Sequence, residues 1–138
     1  MTGRGHWLKG VGHARWSLPD RWLEADGGPE RLRRTGFPRR PRIVPGDRLV
    51  LYAAGWRAIF AVVEAVAEPT DEHGVASDPR RWPWTVEIEP LLAVPRLDAA
   101  PPVEAAGVLP RSMSQQSHIR LTPEQYERAV EALGSVAR

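Results

Sequence analysis

Six tryptophans, Trp7, Trp16, Trp22, Trp56, Trp82 and Trp84, stand in a chain of 138 residues. An indole is a large flat ring whose N–H needs a partner when it is buried, so it is an expensive way to fill a core. Several of these rings sit beside Arg, Pro, Ser or Gly, as in Ala14-Arg15-Trp16-Ser17, Gly55-Trp56-Arg57 and Arg80-Arg81-Trp82-Pro83-Trp84. That setting offers faces on which a planar ligand can stack. Of the 19 basic residues only Lys9 is a lysine. Nearly all positive charge is therefore guanidinium, which forks onto phosphate and stacks on rings. The abundance of Ala, Pro and Gly marks a GC-rich coding bias as well, so arginine richness alone decides little. Charge distribution says more: residues 1–57 hold 12 basic against 5 acidic groups, a net +7, and residues 58–138 hold 7 against 12, a net −5. The first half is the candidate anion-binding half.

Catalytic and metal-binding patterns are absent from the sequence. His6, His13, His73 and His118 have no ligand spacing, and there is no cysteine to complete a zinc site or form a disulfide. No glycine-rich phosphate loop, nucleophile elbow or paired-acid motif is present. Asp71-Glu72-His73 lies in a polar loop, where solvation is the simpler account of it. No catalytic residue, metal or cofactor is assigned.

The elements that would position the rings are mostly strands. Arg48–Ala54 has strand composition after a Gly46-Asp47 turn, and Gly55-Trp56-Arg57 breaks it. Ala58–Ala67 is nearly continuously apolar, as in a strand covered on both faces, and Glu68-Pro69 ends it. Trp84–Leu91 alternates, with Val86 and Ile88 inward and Glu87 and Glu89 in water. His6–Gly12 and Ser117–Leu121 are two further strand candidates. Thr122-Pro123-Glu124-Gln125 supplies an N-cap, a first-turn proline and a capping box for a C-terminal helix with Tyr126, Ala129, Val130 and Leu133 on one face and Gly134 as its stop. Shorter helices are expected within Leu18–Leu23 or Pro29–Arg34 and within Val103–Leu109, and Arg34–Pro45 reads as an extended basic loop. With 42% hydrophobic and 26% charged residues, 14 prolines and 12 glycines, residues 1–138 are expected to form one α+β domain. Its architecture is a small curled mixed β-sheet or β-barrel of about five strands with flanking short helices and a C-terminal helix. No stretch is apolar enough to span a bilayer and the start lacks a signal-peptide core, so a cytoplasmic protein away from membranes is expected, and a monomer.

The series His6-Trp7-Leu8-Lys9, Pro45–Tyr52, Ile59–Val66 with Glu68-Pro69, and Trp84–Ile88 resembles the EVE domain of the PUA-like superfamily, over Gly5 to Leu133. The most specific part is the Gly-Asp strand, the turn and the apolar strand ending in Glu-Pro. The resemblance, which extends to YTH domains, implies a reader that flips a modified base of DNA or RNA into an aromatic cage beside a basic surface. By that likeness Trp16 is one wall with Ser17 beside it, Trp82 is the nearest candidate for the other, and Trp56 is a lid or a surface ring. Lys9, Gly10 and Val11 match positions that line the pocket or meet the backbone phosphate. Stacking on such walls restores roughly 1–3 kcal/mol per unstacked base.

Other readings remain beside this one. Trp7, Trp22 and Trp84 are better explained as core. Arg33, Arg34, Arg39, Arg40 and Arg42 form either a phosphate-tracking strip or a solvated loop, and the polar run from Arg111 to His118 either reads a base edge or satisfies its own backbone. Related PUA-like folds include nucleases, for which Lys9, Tyr52, Arg57 and His118 would be the participants. A regulatory domain holding a free nucleoside is the third class. As a binding module the chain would act by occupancy or through a separate effector protein. Trp16→Ala is expected to weaken binding of a modified oligonucleotide while leaving the thermal unfolding profile intact, and unchanged affinity would remove Trp16 from the cage.

Overall fold

The computed structural model describes residues 4–12, 17–25, 28–72, 74, 80–114 and 116–137. Among the described residues six strands, β1 (His6–Val11), β2 (Arg34–Phe37), β3 (Arg48–Ala53), β4 (Ala58–Ala65), β5 (Trp84–Ala93) and β6 (His118–Arg120), precede the helix α1 (Pro123–Val136). They form one mixed sheet in the order β2-β5-β4-β3-β1-β6. The pair β1·β3 is parallel and the other pairs are antiparallel. The sheet curls until its two edge strands meet through side chains, the Phe37 ring on β2 standing edge-on to His118 on β6 with centroids 5.0 Å apart. The result is the curled mixed α+β architecture expected from the sequence.

Curling gives the sheet a filled interior and a covered exterior. Trp7, Phe37, Leu49, Leu51, Phe60 and Val86 pack inside with Leu18, Trp22 and Ile43 from the loops. Leu8, Val50, Ile59 and Val62 face outward against Tyr126, Ala129 and Leu133 of α1. Both faces of β3 and β4 are thus dry, which is why those strands are apolar almost throughout. The capping box forms as read: the Thr122 hydroxyl accepts from the Gln125 N–H, and the Gln125 side chain accepts from the Thr122 N–H.

Three local expectations change. The sheet has a sixth strand, because Arg34–Phe37 is β2 and not loop: Thr35 and Phe37 turn inward while Arg34 stays in water, and an edge position tolerates the prolines that follow. Leu18–Leu23 makes turns, not a helix, although Trp22 is fully buried with its indole N–H on the Val94 carbonyl at 2.9 Å. The alternative at Pro29–Leu32 forms instead, as a single 3₁₀ turn, and Val103–Ala106 is the short turn expected within Val103–Leu109. Gly134 does not stop α1, which continues to Val136; Leu133 is buried just before it and anchors the last turn.

One carboxylate ties the start of the chain to the sheet. Asp47, 5% exposed, accepts from the Gly5 N–H at 2.9 Å, the Trp7 indole N–H at 3.0 Å and the Val44 N–H at 3.1 Å. Gly5 is required by close approach, since a Cβ there would lie 2.9 Å from the carboxylate oxygens. Asp47→Ala strands three donors, each costing about 1–3 kcal/mol if left unmet. The variant is expected to lose on the order of 10 °C in thermal unfolding, and a loss of only a degree or two would show that the carboxylate does not lock β1 in place.

Candidate functional site

Where β1 and β3 run out, the chain leaves a cleft of about 1180 Å³. Its walls come from Gly10 and Gly12 at the end of β1, Tyr52, Ala54, Gly55 and Arg57 around the β3–β4 turn, Pro38 after β2, Arg81 and Trp82 before β5, Glu104, and Leu109, Arg111, Met113 and Ser117 with their described neighbours. Three of those side chains, Arg57, Arg81 and Arg111, are cationic. Arg57 has φ of +55°, a left-handed conformation that costs a side-chain-bearing residue about 1 kcal/mol or more. Tyr52 is buried at the cleft wall, and burial pushes its hydroxyl pKa up, with Arg57 opposing and Glu104 adding to the shift.

Beneath this cleft lies Lys9. It follows Trp7 by two residues on a strand, so the alternation that sends Trp7 inward sends Lys9 inward too. It is 3% exposed. Its ammonium donates to the Gly10 carbonyl at 2.5 Å and lies 4.9 Å from the Phe37 ring centroid and 5.3 Å from that of Trp82. The ring faces favour the charged form, but the loss of water outweighs them and burial lowers the pKa to about 7. His118 is its cross-strand partner on β6. The His118 ring stands between Trp7, at 5.5 Å, and Phe37. Its Nδ1 shares a 2.7 Å hydrogen bond with the Ser117 hydroxyl. Burial, and then the Lys9 charge, hold its pKa below the usual histidine value.

The residues named from sequence fall in several places. Trp82, Gly10 and Arg111 line the cleft, as do Tyr52 and Arg57 from the nuclease set. Ser17 packs against Gly55 on the cleft wall, so closely that a Cβ on Gly55 would overlap its hydroxyl. Trp56 is 37% exposed and does not line the cleft; its indole N–H donates to the Leu18 carbonyl at 2.7 Å and holds the chain after Ser17 on the β3–β4 turn. Val11 is half-buried and packs toward the interior core. Arg33 and Arg34 lie away from the cleft, Arg33 paired with Glu30 at 3.8 Å and Arg34 across from Glu87. Arg39 and Arg40 are exposed beyond Pro38, and Arg40 covers the half-buried Trp84 ring at 5.4 Å. Trp7 and Trp22 are core. Trp16 lies outside the described residues.

Phe37 and Met113 were not singled out from sequence. Phe37 alternates with Thr35 between arginines, a weak but readable strand signal; Met113 sits in a 3₁₀ turn and shows none. Among the described residues there is no group of three or more His, Cys, Asp or Glu that could hold a metal ion. Nor is any described helix long and apolar enough to cross a membrane.

No protein-family model matches the chain, and no curated protein matches its sequence. Solved structures do match in fold. Rpa0253 from Rhodopseudomonas palustris aligns at 15% identity and TM-score 0.55, over 97% of this chain and 96% of its own. A serine-to-alanine mutant of ZmASCH from Zymomonas mobilis aligns at 10% identity and TM-score 0.57, over 95% and 98%. Human THYN1, in complex with 5-methylcytosine-containing DNA, aligns at 14% and TM-score 0.50, over 92% and 96%.

The buried amine makes stability depend on pH. The unfolded chain holds the Lys9 proton with a pKa near 10.5 and the folded chain with one of about 7. Between those values the unfolded state binds more protons, so stability is full above the upper value and is lost as pH falls toward the lower one. Each pKa unit corresponds to about 1.4 kcal/mol. The melting temperature of the wild type is expected to climb from about pH 7 to pH 9.5, below the range where Tyr52 ionises, and that of Lys9→Met to stay flat. A parallel climb in both proteins would show that another group is responsible.

Proposed function

We propose, from the PUA-like fold that this chain shares with EVE-type proteins, that it is a nucleic-acid-binding module which holds a modified base in the cleft above Lys9. The observation that carries this reading is the placing of Trp82, a stacking face, in one cleft with Arg57, Arg81 and Arg111. Its support from outside the chain is that THYN1, which has the same fold, forms a complex with 5-methylcytosine-containing DNA. The base leaves its stack and lies against Trp82, and the guanidinium groups at the mouth meet the phosphates on either side. Trp16, which the sequence resemblance names, is taken as the second wall in this proposal. Leu109 and Met113 supply apolar surface for a methyl or similar substituent. The module works by occupancy or by recruiting a separate effector protein.

A nuclease is the second reading, favoured by one observation: Tyr52 and Arg57 share the cleft under which Lys9 and His118 stand side by side. Cleavage of RNA or DNA that vanishes in Lys9→Ala or His118→Ala would establish it, and a clean negative assay dismisses it.

For the binding module, fluorescence anisotropy with single- and double-stranded DNA and RNA carrying 5-methylcytosine or cytosine is the direct test. Trp82→Ala is expected to weaken the preferred modified strand by roughly 5- to 100-fold, the range of one lost base stack. Arg111→Gln should lower affinity for every strand and flatten the slope of log affinity against log salt by about one. Equal affinity for modified and unmodified strands, or a Trp82→Ala protein that binds as the wild type does, would refute the base-holding role.

A further inference from the structure

The sole lysine of the chain is also buried, at 3% exposed. Wherever this sequence needs a solvated cation it uses arginine. A guanidinium does not give up its proton in a protein, whereas an ammonium can, and desolvated lysines serve as nucleophiles for that reason. We propose that Lys9 is an imine-forming nucleophile, whose amine condenses with an aldehyde carried on a nucleobase or on its sugar when that group enters the cleft. The inference rests on the nucleic-acid reading above and specifies the chemistry of the substituent.

The geometry supplies what such a step needs. Lys9 Nζ holds the carbonyl of Gly10, a cleft-lining residue, and Trp82, whose ring faces the amine, forms part of the cleft wall. Trp82 belongs to the loop before β5 and not to a strand, and in the proposal its side chain turns to bring amine and cleft into contact. Around the amine among the described residues stand the Phe37 ring of β2, with Leu51 on β3 and His118 on β6 as the cross-strand partners of Lys9. None of these supplies a carboxylate that would hold the proton on nitrogen. Burial lowers the pKa to about 7, which makes the free base available at neutral pH.

In the reaction the nitrogen lone pair attacks the carbonyl carbon, a C–N bond forms and the C=O π electrons move to oxygen. A proton passes from nitrogen to that oxygen, with the His118 ring and the Ser117 hydroxyl placed beside Lys9 as carriers. The C–O bond then breaks, the oxygen departs as water with both amine protons, and a C=N bond remains. Nothing is oxidised or reduced. The aldehyde has two sources in nucleic acid: a formyl group on a pyrimidine, or the ring-opened sugar of an abasic site.

Because Lys9 is the only lysine, the chain's α-amine is the one other amine that can compete. The whole chain is incubated at pH 7 with sodium cyanoborohydride and oligonucleotides carrying 5-formylcytosine, an abasic site, 5-methylcytosine or no modification, and with 5-formylcytidine as the free nucleoside. Intact mass and peptide mapping locate any adduct, while anisotropy on the same samples without reductant reports binding. The expected result is an adduct on the Lys9 peptide at least ten times more abundant than on the α-amine, from one or both aldehyde strands and from neither control; the faster strand identifies base or sugar as the source. Strands that bind but leave Lys9 unlabelled, or label only the α-amine, overturn the imine and leave the binding module standing. Labelling of Lys9 by the free nucleoside with no binding of any strand upholds the nucleophile and removes the nucleic-acid reading. No label from any aldehyde overturns the proposal. Mapping reads the wild-type chain, so the result does not depend on whether a Lys9 variant folds.

Discussion

Asp47 holds the arrangement on which the site depends. By accepting from Gly5, Trp7 and Val44 at once, its carboxylate pins the first strand beside the third and pulls the Val44 loop under both. Parallel neighbours need a long connection and gain nothing from a tight turn, so β1 has no local reason to lie where it does. The buried carboxylate supplies a non-local one. It also sets the phase of β1: with Trp7 turned inward to reach Asp47, Lys9 must turn inward as well, and Gly10 is left facing the cleft. A stabilising contact at one end of a short strand thus dictates which side chain is buried at the other end.

The interior reached in this way is not uniformly apolar. Along most of the barrel, aliphatic and aromatic side chains fill the space between strands, but where β2 and β6 approach, the filling is Phe37, His118 and Lys9. Those strands are the two edges of the sheet, and their meeting relies on ring contacts in place of a hydrogen-bonded ladder. An amine there costs stability that an aliphatic side chain would not. The fold therefore places a costly buried group below its open cleft.

Much of the scaffold was legible because local signals agreed with the global fold. The Gly46-Asp47 turn, the Gly55 break and the Thr122-Pro123-Glu124-Gln125 cap each determine their own neighbourhood, and the structure has them in place. β2 was hidden because prolines and arginines speak for loop, while its strand character comes from pairing with β5 and from the burial of Phe37. The helix stop at Gly134 failed since a glycine near a helix end costs only about 1 kcal/mol when the preceding leucine is anchored. At the site, the same contrast holds. Trp82 and Arg111 were found from ring and charge type. The enclosure of Lys9 was not, although its two-residue spacing from Trp7 contains the signal, because the partners that enclose it come from β2, β6 and the loop before β5.

Trp56, singled out first as a ring for stacking, has a different consequence as a clamp. Its hold on Leu18, with the Ala54 N–H on the Val11 carbonyl at 2.9 Å, fixes the chain on both sides of residues 13–16. The span between those anchors is set by the barrel and not by the residues that cross it. Closing a longer segment between fixed ends costs only about 0.6 kcal/mol for each doubling of its length. The anchors on either side are consequently independent of what lies between Gly12 and Ser17, and a change of length or composition there is expected to leave the fold of the barrel intact.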